Sequence, residues 1–182
     1  MPTNDPTAFD ARRSALAIIG AEHGAFEAAL GDLVGQLDLL HASRVAPDPG
    51  VFDRRLSALA TFIETFHHPK EDEFLFRAVR ERTRQADDLL AELQYDHARS
   101  PDRLRELRLA LSSTRHGASS QFEDFASLLE RHARGQLAHM HLENRLLIPV
   151  AERVLLAADW EAIDAAFRSN RAPPMDTGAA IA

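Results

Sequence analysis

Nine histidines occur in the 182 residues, and three of them, His23, His67 and His139, have a glutamate four residues on, at Glu27, Glu71 and Glu143. On a helix this offset puts a nitrogen and an oxygen on one face, a turn apart, so each pair can offer both atoms to one cation. His68 repeats the pattern with Asp72 inside the stretch TFIETFHHPKEDEFLF, residues 61–76. The chain has no cysteine, which excludes thiolate zinc sites, iron–sulfur clusters, disulfides and cysteine nucleophiles together. Any metal must be held by imidazole and carboxylate, and such ligands suit iron, manganese and zinc alike.

These side chains need rigid helices to hold them. Gly and Pro are sparse and clustered, with Ala, Leu, Glu and Arg between them, so the long segments read as helices. Apolar residues at three- and four-residue intervals predict helices over 10–42, 51–82, 86–113 and 119–154, linked by the proline-rich ASRVAPDPG, a short break near residue 84, and the turn STRHGASS. A short fifth helix is expected to start with Asp159 as its N-cap. The predicted fold is all-α: an antiparallel up-down-up-down four-helix bundle with a short C-terminal helix, one domain over residues 1–168, and a disordered tail over 169–182. Pro69 lacks an N–H and leaves the carbonyl of Thr65 without its helical partner, so a kink is expected one turn below His67 and Glu71.

Heights along the helices bring the pairs together. His23 lies roughly 19 residues before the end of the first helix and His67 roughly 16 after the start of the second, a mismatch of only about 5 Å at 1.5 Å per residue. Glu71 and His97 are each about 13 residues from the break near residue 84. From the last turn, His97 is about 19 residues back, with His139 and Glu143 about 23 and 27 forward, a looser match. All four helices thus present a ligand-competent side chain near one level.

The ordered set EHGAF, FHHPKEDEFLF, YDHA and HMHLENRLLIP, spanning residues 22–149, resembles the hemerythrin-like, or HHE cation-binding, four-helix-bundle family. The resemblance implies a di-iron centre with two iron ions bridged by carboxylates, and a ligand set of His23, His67, Glu71, His97, His139 and Glu143. It further implies a small ligand, either a diatomic such as oxygen or nitric oxide, or peroxide, entering at open metal positions. Oxygen-carrying members have a second histidine four residues from the first on the third helix. Here that offset from His97 holds Pro101 on one side and Leu93 on the other, so the set is one histidine short of the carrier pattern. Glu27, one turn from His23, is a candidate for the gap. The shortage favours a sensor, a reactive centre or an iron-handling role over reversible oxygen storage. A reservoir or sensor for iron or zinc without redox chemistry, or manganese in place of iron, fits the same residue types.

Other histidines have simpler readings. A step of about 100° per residue turns His68 and Asp72 away from His67 and Glu71, so His68 is expected to face a neighbouring helix. His132 shares the face of His139 and is a core residue as readily as a ligand; His141 faces elsewhere, and His41 and His116 fall at a helix end and in a turn. Phe62, Phe66, Phe74, Phe76, Phe122 and Phe125 recur at helical spacing and read as core. A ferritin-like oxidase needs Glu-x-x-His on two helices, and only Glu64 with His67 supplies it. A formal charge of −7 argues against a nucleic-acid partner, and RAVRERTR is read as a solvated helix end. No segment approaches a membrane span or a secretory leader, which predicts a cytoplasmic protein.

Overall fold

The computed structural model describes residues 6–43, 48–114 and 119–170. Within them every element is helical, and no strand occurs. The first helix, α1 (Pro6–Ser43), is one unbroken rod. The second rod consists of α2 (Pro49–Thr61), a π-helical turn (Phe62–His67), α3 (His68–Lys70), a second π turn (Glu71–Phe76) and α4 (Arg77–Arg82). The residues at the joints keep right-handed helical torsions, so these pieces form one continuous helix. α5 (Asp87–Ser113) is the third rod; α6 (Ser119–Leu142), a π turn (Glu143–Leu147) and α7 (Ile148–Val154) make the fourth. α8 (Ala157–Ser169) closes the chain.

Local chemistry sets several of these boundaries. Asp48 caps α2, its Oδ1 accepting from the Gly50 N–H at 2.8 Å, and Pro49 starts the helix where a missing N–H costs nothing. α8 begins three residues earlier than expected, with Leu156 in place of Asp159 as its N-cap: from inside the first turn, Asp159 Oδ2 accepts the Leu156 N–H at 2.7 Å. The same carboxylate takes both Arg82 Nε and Nη2 at 2.8 Å, so one arginine of the basic stretch fastens the second rod to α8 rather than facing water alone. His116 and most of the expected tail lie outside the described residues, while Ser169 still belongs to α8.

α1 packs against α2, α6 and α8, α5 against α2 and α6, and α4 against α7. Two apolar clusters fill the space between them. One gathers Phe26, Leu30, Phe52, Leu59, Leu107 and Phe125; the other gathers Ile19, Phe76, Leu93, Leu147, Trp160 and Phe167. Along α1, His23 falls between Ile19 of one cluster and Phe26 of the other; on α5, His97 falls between Leu93 and Leu104 in the same way. The chemistry-bearing side chains therefore form a polar layer with a dry cluster on each side. Each fully buried large side chain in those clusters contributes about 1.5–3 kcal/mol, which offsets the cost of burying the polar layer. Among the described residues, no helix is long and apolar enough to cross a membrane.

Candidate metal centre

Among the described residues the three π turns lie in the second and fourth rods, and each touches the His-x-x-x-Glu pair of its rod. His67 ends the first, Glu71 opens the second and Glu143 opens the third. The His68 N–H reaches back to the Ile63 carbonyl, a bond across five residues that widens the turn. Pro69, Pro101 and Pro149 each withhold an N–H from the helix ladder; the chain continues through all three, and π turns immediately precede or flank the first and the last. Where the kink was expected, right-handed helical torsions continue through the joints and Pro69 sits between two π turns.

Widening changes which side chains face inward. Two groups of side chains have ligand atoms within 4.8 Å of one another: His23, His67, Glu71 and Glu143 in one, His68, His97 and His139 in the other. All six expected residues are brought together, and all are buried. His68, expected to turn away, is buried with them. Its ring stacks on His97 with centroids 3.7 Å apart; bonding across five residues in the π turn breaks the 3.6-residue period on which the expectation rested. Glu27 is exposed and fills no gap. The second group thus takes its histidines from the second rod as well as from α5 and α6.

The carboxylates tie the groups together. Glu71 Oε1 lies 3.5 Å from His23 Nε2, and its Oε2 lies 3.4 Å from His67 Nε2 and 3.6 Å from His97 Nε2. Glu143 Oε2 lies 3.3 Å from His23 Nε2, and its Oε1 lies 3.3 Å from His139 Nε2 and 3.8 Å from His97 Nε2. Each carboxylate therefore spans the two groups.

The outer nitrogens show which ring edge faces inward. His23 Nδ1 is 3.1 Å from Asn144 Oδ1, His67 Nδ1 is 3.1 Å from Glu22 Oε2, and His97 Nδ1 is 3.1 Å from Asp72 Oδ2. Those oxygens only accept, so each Nδ1 carries a proton and each ring turns its Nε2 edge to the centre. His139 Nδ1 has Asp96 Oδ2 at 3.6 Å. The supports extend further outward: Lys70 Nζ donates to Glu22 Oε1 and, at 3.1 Å, to the Asn170 carbonyl at the end of α8, while Gln94 and then Arg80 back Asp72. Such outer partners fix ring orientation and raise donor strength at metal sites. Glu22, Lys70 and Asn144 carry no spacing signal; only the acid next to His23 and the amide next to Glu143 hinted at them.

The donor set fits a cation. His23 Nε2, Glu71 Oε2 and both oxygens of Glu143 are buried without a hydrogen-bond partner. His97 Nε2 and His139 Nε2 face each other at 3.0 Å, so either one donates a proton to the other's lone pair or both turn lone pairs to a cation between them. Protons can serve in the metal-free chain. Burial opposes a charge on His23, yet the carboxylates of Glu143 and Glu71, 3.3 and 3.5 Å from its Nε2, push its pKa up to about 10. His139 is raised in the same way, burial being outweighed by Glu143, Glu71 and Asp96. Burial would raise the pKa of Glu143, but His139 and His23 hold it well below the usual carboxylate range. His68 goes the other way: burial, then the charges of His97, His67 and His139, keep it neutral, which is the form that binds metals.

A family model, the hemerythrin HHE cation-binding domain, matches residues 14–152 and covers every residue of both groups. No curated protein and no solved structure matches the chain. The match spans most of the sequence and coincides with the buried histidine–glutamate layer, so the chain belongs to the hemerythrin HHE cation-binding domain family.

Proposed function

We propose that this protein holds a carboxylate-bridged pair of iron ions and uses them to bind, sense or react with a small ligand such as oxygen, nitric oxide or peroxide. The observation that carries the reading is the span of Glu71 and Glu143, each with oxygens near histidines of both groups. His23 and His67 would serve one ion, His68, His97 and His139 the other, and the two glutamates both. Five imidazoles and two carboxylates fall short of twelve positions for two six-coordinate ions, which leaves room for solvent or a small ligand. We also infer an up-down-up-down bundle, since α1 and α5 each neighbour both α2 and α6.

When bound, the metal pair supplies Lewis acidity and one-electron redox capacity. The chain supplies the rest. Nδ1 partners orient the rings; Phe62, stacked on His67, and Phe76, stacked on His97, exclude water; protons on His23 and His139 leave as cations enter. With His68 in the set, the donor count no longer falls short of the carrier pattern, so reversible ligand binding stands beside reactivity. Absorption spectroscopy of the iron-loaded chain tests the reading: near-ultraviolet bands that shift with azide support open iron positions. Bands indifferent to azide and peroxide would favour a reservoir without redox chemistry, and stoichiometric zinc or manganese would replace the iron reading.

A further inference from the structure

α8 lies along α1 and against the second π turn, Glu71–Phe76, so it covers the elements that carry Glu22 and His23 on one side and Glu71 on the other. Its last turn reaches a buried charge: the Phe167 ring centroid lies 4.8 Å from Lys70 Nζ, and the Asn170 carbonyl accepts from that Nζ at 3.1 Å. We propose, on the metal reading above, that α8 is a latch whose docking is coupled to occupancy of the metal centre through Lys70, Glu22 and His67.

Lys70 stands in α3, the short piece between two π turns, beside Glu71 and two residues from His68. A lysine ammonium has three N–H donors and no acceptor. One donor goes to Glu22 Oε1 and one to the Asn170 carbonyl, and the Phe167 ring faces the charge from a third side. α8 therefore supplies two of the three surroundings that make burial of this charge tolerable. Glu22 divides its carboxylate, with Oε1 on Lys70 and Oε2 3.1 Å from His67 Nδ1. The path from ligand ring to α8 is His67, Glu22, Lys70 and the Asn170 carbonyl, and all three side chains in it are buried.

The coupling has a physical cause in each direction. A cation on His67 Nε2 fixes the ring, and the fixed ring keeps its Nδ1 proton on Glu22. An unligated ring is freer to turn, so Glu22 and Lys70 are held less firmly and the α8 carbonyl with them. In reverse, lifting the last turn of α8 lets water reach Lys70 and Glu22. Their attraction weakens in the higher dielectric, and water competes with His67 for the carboxylate. Whatever factor the metal adds to α8 docking, α8 docking returns to metal affinity.

Hydrogen exchange of the full chain, metal-free and loaded with ferrous iron without oxygen, tests the latch, with iron content read on the same samples. Amides from Ala166 to Asn170 should exchange about tenfold more slowly in the loaded chain, and the difference should vanish in the Glu22→Gln/Lys70→Met double variant held in excess iron. Phe167→Leu keeps an apolar side chain in its cluster and removes the ring from Lys70. It should speed iron loss to a chelator about threefold with helical content unchanged, and this arm stands if the double variant does not fold. Iron uptake with α8 exchange unchanged, equal slowing in the double variant, or a wild-type rate of iron loss in Phe167→Leu would overturn the latch and leave the metal centre standing. A chain that takes up no iron would overturn both.

Discussion

The ring of His68 lies on that of His97, 3.7 Å between centroids and 14° from parallel, with His139 completing the group. Stacking alone could hold a neutral imidazole there, but its nitrogen also lies within ligand distance of its two partners. If His68 is a ligand, His68→Ala should lower metal content from about two ions per chain towards one, while His41→Ala, at a partly exposed helix end, changes nothing. His68→Phe separates the roles, since it keeps the stacked ring and removes the donor. Full metal content in both His68 variants would reduce the residue to packing.

Lys70 is 2 % exposed and bonded to Glu22, which in turn holds His67. Removing one partner of a buried ion pair costs about 3–5 kcal/mol, because the other charge stays buried unpaired. Lys70→Met should therefore destabilise the chain by that amount and weaken metal retention by about 10–100-fold, as loss of an outer support does. Adding Glu22→Gln should restore much of the stability but not the metal retention. Chemical denaturation and competition with a chelator read the two effects separately; recovery of both together would mean that the pair only packs.

The first and fourth rods could be read from periodicity almost to their ends: 10–42 was expected against Pro6–Ser43, and 119–154 against Ser119 through Val154. Those boundaries follow from local chemistry, namely proline, capping residues and the apolar stripe. The six expected ligands converge because four turns of helix preserve height well. His68 was misplaced because a fixed 3.6-residue period was carried through Phe62–His67, where bonding across five residues adds width. Glu22, Lys70 and the Asn170 carbonyl were invisible for another reason: their partners lie 45 to 100 residues away, and no spacing rule on one helix encodes such contacts.

The metal-free chain should show a pH signature of the protons it holds. With the His23 pKa raised to about 10 in the fold, its contribution to stability is fully present below its ordinary value of 6.5 and is lost as pH rises towards 10. His139 acts in the same direction. The urea midpoint of the metal-free chain should fall across that window, and metal uptake at neutral pH should release protons into a weakly buffered solution. At the acid end, Glu143 and Glu22, both held low, contribute above about 4.5 and lose that contribution as pH falls. A midpoint flat from pH 6.5 to 10 would contradict the arrangement of charges around His23.

The bridging role of Glu71 and Glu143 has its own signature. Each carboxylate serves both groups, so Glu71→Gln or Glu143→Gln should lower affinity for both ions together rather than empty one position. Stepwise metal titration distinguishes the two: a single lost step in either variant would assign that glutamate to one ion only.

The most direct test is elemental analysis of the chain purified and iron-loaded without oxygen. Two irons per chain are expected in the wild type, with a marked loss in His23→Ala and in His139→Ala. One metal per chain, no metal, or stoichiometric zinc after anaerobic iron loading would contradict the paired-iron centre.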